Sequence, residues 1–196
     1  FRADVFHTAD GKEMEWAATV PNGIAVGVPG TVRGWHEALS RYGTMGFEQV
    51  LAPAIRVARN GFEIYPRLET GYIQRAEVME RYVGSRKIFL ADGDPPQTGE
   101  ILIQEDLART LELIAEKGFD GFYRGETAKE MLFDVAKYGG NWNAQDLTGY
   151  KVVERTPMVI DYNGWRITTA PPPSSGGVAI AQMLNILQPW DLRTMQ

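Results

Sequence analysis

The sequence contains no cysteine at all. That absence excludes disulfide bonds, a thiolate nucleophile and zinc sites built on cysteine. Histidine is almost as scarce, because His7 and His36 are the only two and both lie near the start of the chain. Two distant histidines make a poor metal-ligand set and leave few bases for a nucleophilic serine, so we predict no metal and no other cofactor.

Long apolar runs and clusters of basic charge are also missing. The apolar runs are too short to cross a bilayer, which predicts no membrane span. The formal net charge is −5, and the lysines and arginines are scattered among the acidic residues. Without a basic stripe or a polybasic tail, neither nucleic acid nor anionic lipid is expected as a partner.

A chain of 196 residues is long enough to bury a real core. We interpret residues 1–196 as a single partial domain, with helices over 31–140 and a hairpin followed by a helix over 150–188. Both ends are expected to continue into a longer protein. A protein without cysteine suits a periplasmic or secreted location, and a cytoplasmic location is the alternative.

Apolar residues at helical spacing predict several helices in the first part of the chain. One helix begins with Thr31 as its N-cap and ends at Gly43. A second has its stripe over residues 47–58, is split or kinked by Pro53, and stops at Asn60-Gly61. Three more are expected around 68–82, 107–117 and 128–136. The apolar face of the first helix is predicted from four residues: Val32, Trp35, Leu39 and Tyr42.

After Tyr150 the pattern changes to that of strands. Residues 151–162 and 165–169 are rich in β-branched and aromatic side chains, and Asn163-Gly164 between them is typical of a type I′ hairpin turn. An apolar helix is then expected over 178–187. The predicted order is therefore helices first, a late antiparallel hairpin second, and one more helix last.

The stretch APPPSSGG, residues 170–177, joins the hairpin to the last helix. One interpretation is an active-site loop in which Ser174 or Ser175 is the nucleophile. Another is a rigid corner in which a serine caps the helix while Gly176 and Gly177 leave its first amides uncovered. A third is that these groups touch an active site built mainly elsewhere. The pattern G-x-S-x-G is absent, which disfavours the nucleophile.

Six blocks of sequence carry a family resemblance. They are GIAVGVPGTVRG (23–34), RYGTMGFEQVLAPAIRVARNGF (41–62), GEILIQEDLARTLELIAEKGFDGFYRG (99–125), DLTGYKVVERTP (146–157), PPPSSGG (171–177) and MLNILQ (183–188). In this order they resemble the γ-glutamyltranspeptidases over nearly the whole chain. The first block also contains glycines, but their spacing matches neither a dinucleotide-binding fingerprint nor a P-loop.

The resemblance implies an α+β fold, part of the αββα sandwich of the N-terminal-nucleophile hydrolases. In that family a precursor cleaves itself, and the new N-terminal threonine of the small subunit attacks a γ-glutamyl amide. Its own α-amino group is the base, so a histidine-poor chain can belong to an amidase. The implied partners are the small subunit, a glutathione-like γ-glutamyl substrate, and water or an amino acid as acceptor.

No catalytic residue of the family carries over onto this chain. Thr168-Thr169 lies in a different part of the family pattern from the threonine nucleophile. The arginine that grips the substrate carboxylate belongs to an R-E-x-A-P segment expected before Phe1, and Arg2 does not replace it. The oxyanion donors come from a glycine pair of the small subunit. This chain alone is therefore expected to be inactive, with a structural corner near the active site formed by Pro173, Ser174, Ser175, Gly176 and Gly177.

Two other functions remain open at this point. The chain can be a non-catalytic scaffold relative that binds a partner. It can also belong to an acylase of the same fold, such as a cephalosporin acylase, or to a poly-γ-glutamate enzyme. Substrate choice depends on residues that lie mostly outside this chain.

Overall fold

The structure is a computed structural model that describes residues 5–8, 10–19, 22–90 and 93–194, except for the side chains at 17, 18 and 193. Contacts along the chain divide it into two compact units, Phe1–Val152 and Val153–Gln196. Each unit is described by itself below. The interpretation of the chain as a single partial domain stays a prediction.

α-Helices dominate the described part of the first unit. In chain order they are α1 (Trp16–Thr19), α2 (Thr31–Tyr42), α3 (Phe47–Asn60), α4 (Pro66–Glu80), α5 (Val83–Phe89), α6 (Glu105–Lys117), α7 (Asp120–Tyr123), α8 (Gly125–Lys137) and α9 (Ala144–Thr148). A short antiparallel pair, β1 (Phe62–Glu63) and β2 (Ile101–Leu102), lies among them. A single 3₁₀ turn covers Gly23–Ala25.

The core of this unit forms where α3 and α7 pack against α6. Within this core, Ala108, Ile114, Tyr123 and Leu147 are each exposed by 1% or less. They belong to one cluster of apolar residues that also includes Val32, Leu51, Ala58, Leu111 and Ala128. The helices that contribute to this cluster are therefore held mainly by burial of one apolar face each.

The predicted beginning and the predicted face of α2 are both partly wrong. Gly30 occupies the N-cap position and Thr31 is the first helical residue, so Thr31 is not the cap. Val32 is buried, but Trp35 and Tyr42 are 42% and 75% exposed. Helical spacing identifies a face, but it does not tell which part of the face a neighbouring element covers.

Of the two predicted effects of Pro53 on the second helix, the split is wrong, and the kink stays a prediction. α3 runs unbroken from Phe47 to Asn60 with the proline inside it. A proline costs a helix one backbone hydrogen bond, and the packing of α3 against α6 compensates for that loss. The predicted stop at Asn60-Gly61 is confirmed, because Gly61 is the C-cap and has a φ of +82°.

The second unit contains the predicted hairpin and the last helix. β3 (Met158–Tyr162) and β4 (Trp165–Thr169) pair in antiparallel register, with Tyr162 opposite Trp165. Asn163 and Gly164 have φ angles of +48° and +83°, as a type I′ turn requires. The helix α10 (Ser175–Leu187) packs against β3. Residues 151–157, which were predicted to belong to the first strand, have no regular structure.

Candidate functional site

The corner between β4 and α10 is the segment that sequence analysis singled out. Pro171 and Pro172 follow Ala170, the Pro172–Pro173 peptide bond is cis, and the Ser174 amide donates to the Pro171 carbonyl over 3.2 Å. Helix α10 then starts at Ser175. The corner thus changes the chain direction over four residues.

The predicted serine cap is not formed. Ser174 occupies the N-cap position with extended backbone angles, but its side chain makes no capping hydrogen bond in the described structure. Ser175 is already the first helical residue, and both serines are exposed. Gly176 and Gly177 likewise lie inside the first turn of the helix rather than ahead of it.

The two glycines of the corner differ in their surroundings. A β carbon at Gly177 would collide with the Ala170 carbonyl oxygen and lie 3.1 Å from two atoms of the Thr169 side chain. A β carbon at Gly176 would meet nothing closer than the Ser174 hydroxyl at 3.9 Å. Close approach of backbone is therefore confirmed for Gly177 and not for Gly176.

The surroundings of the two serines lack the groups that a nucleophilic serine needs. Such a serine requires a base within hydrogen-bond reach, most often histidine, and the second unit contains no histidine. In the first unit, the centre of the His36 ring lies 4.6 Å from the centre of the Phe119 ring, in an edge-to-face arrangement, and 6.2 Å from the centre of the stacked Phe47 ring. His36 is half buried among aromatic rings, as expected of a structural histidine.

Thr168 and Thr169 lie in the last two positions of β4, opposite Val159 and Met158. Both are internal residues of a paired strand, so neither offers a free α-amino group. Arg2, which sequence analysis did not accept as a replacement for the carboxylate-binding arginine of the family, lies outside the described residues.

A second feature is the V-P-G-T turn at residues 28–31, which a buried tyrosine holds. The Tyr123 hydroxyl donates to the Pro29 carbonyl over 2.6 Å and accepts from the Arg33 amide over 3.3 Å. Tyr123 therefore ties α7 to the first turn of α2, where backbone amides otherwise lack partners. Burial is the main cause that raises the pKa of Tyr123 above its ordinary value of 10.0, so the phenol stays neutral at physiological pH.

Arg33 continues this arrangement on the other side of the turn. Its guanidinium carbon lies 3.7 Å from the centre of the Phe119 ring, and its Nε donates to the Tyr150 carbonyl over 3.3 Å. A β carbon at Gly30 would collide with the Tyr150 phenol, so any other residue there would require the phenol to move. These groups are all engaged with one another, and the arrangement positions the turn rather than carrying out chemistry.

Sequence analysis missed Arg33, Tyr123 and Tyr150, which build this arrangement. One available signal is the tyrosine in DGFYRG, because a tyrosine placed among core residues needs a partner for its hydroxyl. The identity of that partner, 94 positions earlier, is not visible in a local pattern.

A groove of about 610 Å³ in the first unit is lined by His7, Glu13 and Glu15, whereas two other open grooves there contain no histidine. A groove of about 620 Å³ between α6 and α8 is lined mostly by charged side chains, among them Arg109 and Glu130. Another, of about 470 Å³, lies between Tyr82 and Tyr138. Neither is lined by histidine. Among the residues that the structure describes, no three His, Cys, Asp or Glu side chains group as metal ligands would.

Of the helices in the described ranges, none has both the length and the hydropathy needed to cross a bilayer.

Comparison with known proteins gives consistent matches over the whole chain. The sequence model of the family described as Gamma-glutamyltranspeptidase matches residues 1–196. A "Glutathione hydrolase proenzyme" of Bacillus subtilis (strain 168) is 40% identical over 189 residues, which cover 96% of this chain and 32% of that protein. An "Acylase ACY 1 proenzyme" of Pseudomonas sp. (strain V22) is 42% identical over 168 residues, covering 86% of this chain and 30% of the relative.

A solved structure agrees with these sequence matches. The gamma-glutamyltranspeptidase of Helicobacter pylori superimposes with a TM-score of 0.93 at 35% identity, covering all of this chain and 56% of that one. This chain thus spans about a third of the length of the curated relatives it matches. The predicted fold class is confirmed, since the neighbour has the N-terminal-nucleophile hydrolase fold and the chain is α+β and mostly helical. The chain therefore belongs to the gamma-glutamyltranspeptidase family.

Proposed function

We propose that this chain is part of the large subunit of a γ-glutamyltransferase or hydrolase. The whole protein would cleave γ-glutamyl amides such as glutathione, using an N-terminal threonine that lies outside residues 1–196. The observation that carries the proposal is the 40% identity, over 96% of the chain, with a protein named a glutathione hydrolase proenzyme. A proenzyme is a precursor that is processed before it acts.

The proposed chemistry accounts for the scarcity of histidine. The α-amino group of an N-terminal threonine takes the proton from its own hydroxyl, so a separate base is not needed. The hydroxyl oxygen forms an ester with the γ-glutamyl carbonyl, and the departing amine takes up a proton. Water or an amino acid then attacks the ester and regenerates the threonine.

Within this proposal the chain supplies structure and no reacting atom. The Ala170–Gly177 corner would lie near the active site, and the remaining part of the precursor would supply the small subunit. Ser174 and Ser175 are exposed and have no histidine in their unit, which supports their exclusion as nucleophiles. A periplasmic or secreted location is part of the same proposal.

An acylase of the same fold is the second candidate. It is favoured by the 42% identity with a protein named Acylase ACY 1 proenzyme. Such an enzyme would use the same acyl-enzyme chemistry on an amide without a γ-glutamyl group. Transferase, hydrolase and acylase differ in what the finished site binds and in which acceptor it admits.

The proposal is tested on the intact, processed protein with a chromogenic γ-glutamyl anilide and with an aliphatic acyl anilide as the alternative substrate. We expect turnover of the γ-glutamyl compound. Preference for the acyl compound would favour the acylase, and failure to turn over either substrate would favour a scaffold.

The variant Ser174→Ala distinguishes a structural serine from a nucleophile in the same assay. Because no capping hydrogen bond is lost, we expect normal processing, a rate per processed enzyme close to wild type, and a change in the free energy of unfolding within about 0.5 kcal/mol. Loss of several orders of magnitude in turnover, with normal processing, would make Ser174 the nucleophile and overturn the proposal.

A further inference from the structure

Helix α10 is apolar on two opposite faces. An α-helix turns by about 100° per residue, so Gly177 and Ala181 share the face that packs against β3, and both are buried. Ala179, Met183 and Ile186 lie on the opposite side, which we name the outer face of α10. Met183 and Ile186 are 54% and 69% exposed.

Helix α10 contains no charged residue that would favour exposure of its surface to water. Residues 175–187 contain no Asp, Glu, Lys or Arg, and their amide side chains, Gln182 and Asn185, lie together along one flank. A helix with this little polar surface is normally buried in the finished protein. A continuous exposed apolar strip of this kind marks a surface that another element covers.

We propose that a segment of the same precursor, lying outside residues 1–196, covers the outer face of α10. The inference rests on the proposed function, because it assumes a precursor of which this chain is one part. The length outside the chain supports this occupant, since residues 1–196 correspond to 32% of the Bacillus subtilis relative. The covering segment is expected to be largely apolar, because the side chains of the outer face, Ala179, Met183 and Ile186, carry no charge and no hydrogen-bonding group.

The first test measures how accessible the outer face is in the intact protein. Met183→Cys and Ile186→Cys are made separately in the full precursor, with Ala179→Cys as a milder third variant. The control is Glu77→Cys on α4, where the Glu77 side chain is 87% exposed. Because residues 1–196 contain no cysteine, peptide mapping assigns every label found in this region to the introduced thiol.

We expect a maleimide to label the outer-face cysteines at least ten times more slowly than Glu77→Cys in native protein, and equally fast in urea. Native labelling at the rate of Glu77→Cys would overturn the proposal.

The second test identifies the covering segment. A photoreactive benzoylphenylalanine replaces Gln182, which is exposed and lies on the flank beside the outer face, and the crosslinked peptides are identified by mass spectrometry. Crosslinks to precursor peptides outside residues 1–196 are expected. Crosslinks confined to residues 1–196, crosslinks to a second copy, or no crosslinks would each contradict the proposal. Neither test needs a substrate, so a precursor that shows this burial but no γ-glutamyl turnover would disprove the proposed function alone.

Discussion

At the scale of single residues, Gly176 and Gly177 differ in whether their surroundings leave room for a side chain. Neither has a φ in the left-handed region. At Gly177 the constraint is steric, because the first turn of α10 lies directly against the Ala170 carbonyl and the Thr169 side chain. At Gly176 the surroundings are open. Only one of two adjacent glycines is therefore required by packing.

We predict that Gly177→Val destabilises the intact protein by about 1–3 kcal/mol, the usual range for overpacking a filled site. The reason is that the Ala170 carbonyl is backbone and cannot move aside cheaply. The matched control, Gly176→Ala, is expected to be neutral or slightly stabilising, since alanine is the better helix former. Urea unfolding of both variants measures this. Equal effects at the two positions would contradict the steric account.

At the scale of elements, the Tyr123 hydroxyl connects α7 to the V-P-G-T turn and to the first turn of α2. It is both donor and acceptor there, in a side chain that is 1% exposed. The turn has no capping side chain of its own, because Gly30 is the N-cap. The Tyr123 hydroxyl, from a residue distant in the sequence, therefore accepts a hydrogen bond from an amide of the first turn, as the side chain of an N-cap residue usually does.

Tyr123→Phe keeps the ring and removes the hydroxyl, which leaves the Pro29 carbonyl and the Arg33 amide without this partner. We expect a loss of about 1–3 kcal/mol in the free energy of unfolding, the cost of leaving buried polar groups unpaired. Tyr42→Phe, at a residue 75% exposed, is the control and should change little. A loss for Tyr123→Phe no larger than for Tyr42→Phe would show that the two hydrogen bonds do not stabilise the protein.

The same tyrosine predicts a pH dependence on the alkaline side. Burial raises the pKa of Tyr123 in the folded protein, whereas in the unfolded chain it titrates near 10.0. Above about pH 10 the unfolded state loses its proton first, so this contribution to stability is present below that pH and is lost as the pH rises through the folded pKa. Urea midpoints measured at about pH 8.5 and pH 10.5 should fall less for Tyr123→Phe than for wild type or Tyr42→Phe. Identical falls would rule out this contribution.

The elements that sequence predicted correctly are those with local causes. Asn163-Gly164 determines its hairpin through two positive φ angles, and Gly61 ends α3 in the same way. Short elements that lack such a turn signal, such as α5, α7 and β1 with β2, carry too little periodicity to be predicted. The contact of Tyr123 with Pro29 joins residues 94 positions apart, and no local window includes both.

At the scale of the whole molecule, the chain spans about a third of the length of the curated relatives it matches. The family and the fold class were predicted from ordered blocks of sequence, and the match over residues 1–196 confirms the family. The same resemblance predicted that the chain contains no catalytic residue. The serine cap was wrong, because Ser174 occupies the N-cap position but its side chain makes no capping hydrogen bond, and a sequence does not show which hydrogen bond a side chain makes. The position of the corner relative to the active site stays a prediction.

The central claim is that the nucleophile lies outside this chain, and trapping the acyl-enzyme tests it most directly. The intact, processed protein is mixed with a γ-glutamyl anilide, quenched in acid within milliseconds, and digested for peptide mass spectrometry. We predict the added γ-glutamyl mass on an N-terminal threonine outside residues 1–196, with all peptides of residues 1–196 unmodified. A γ-glutamyl group on Ser174, Ser175 or any other residue of this chain would contradict the account.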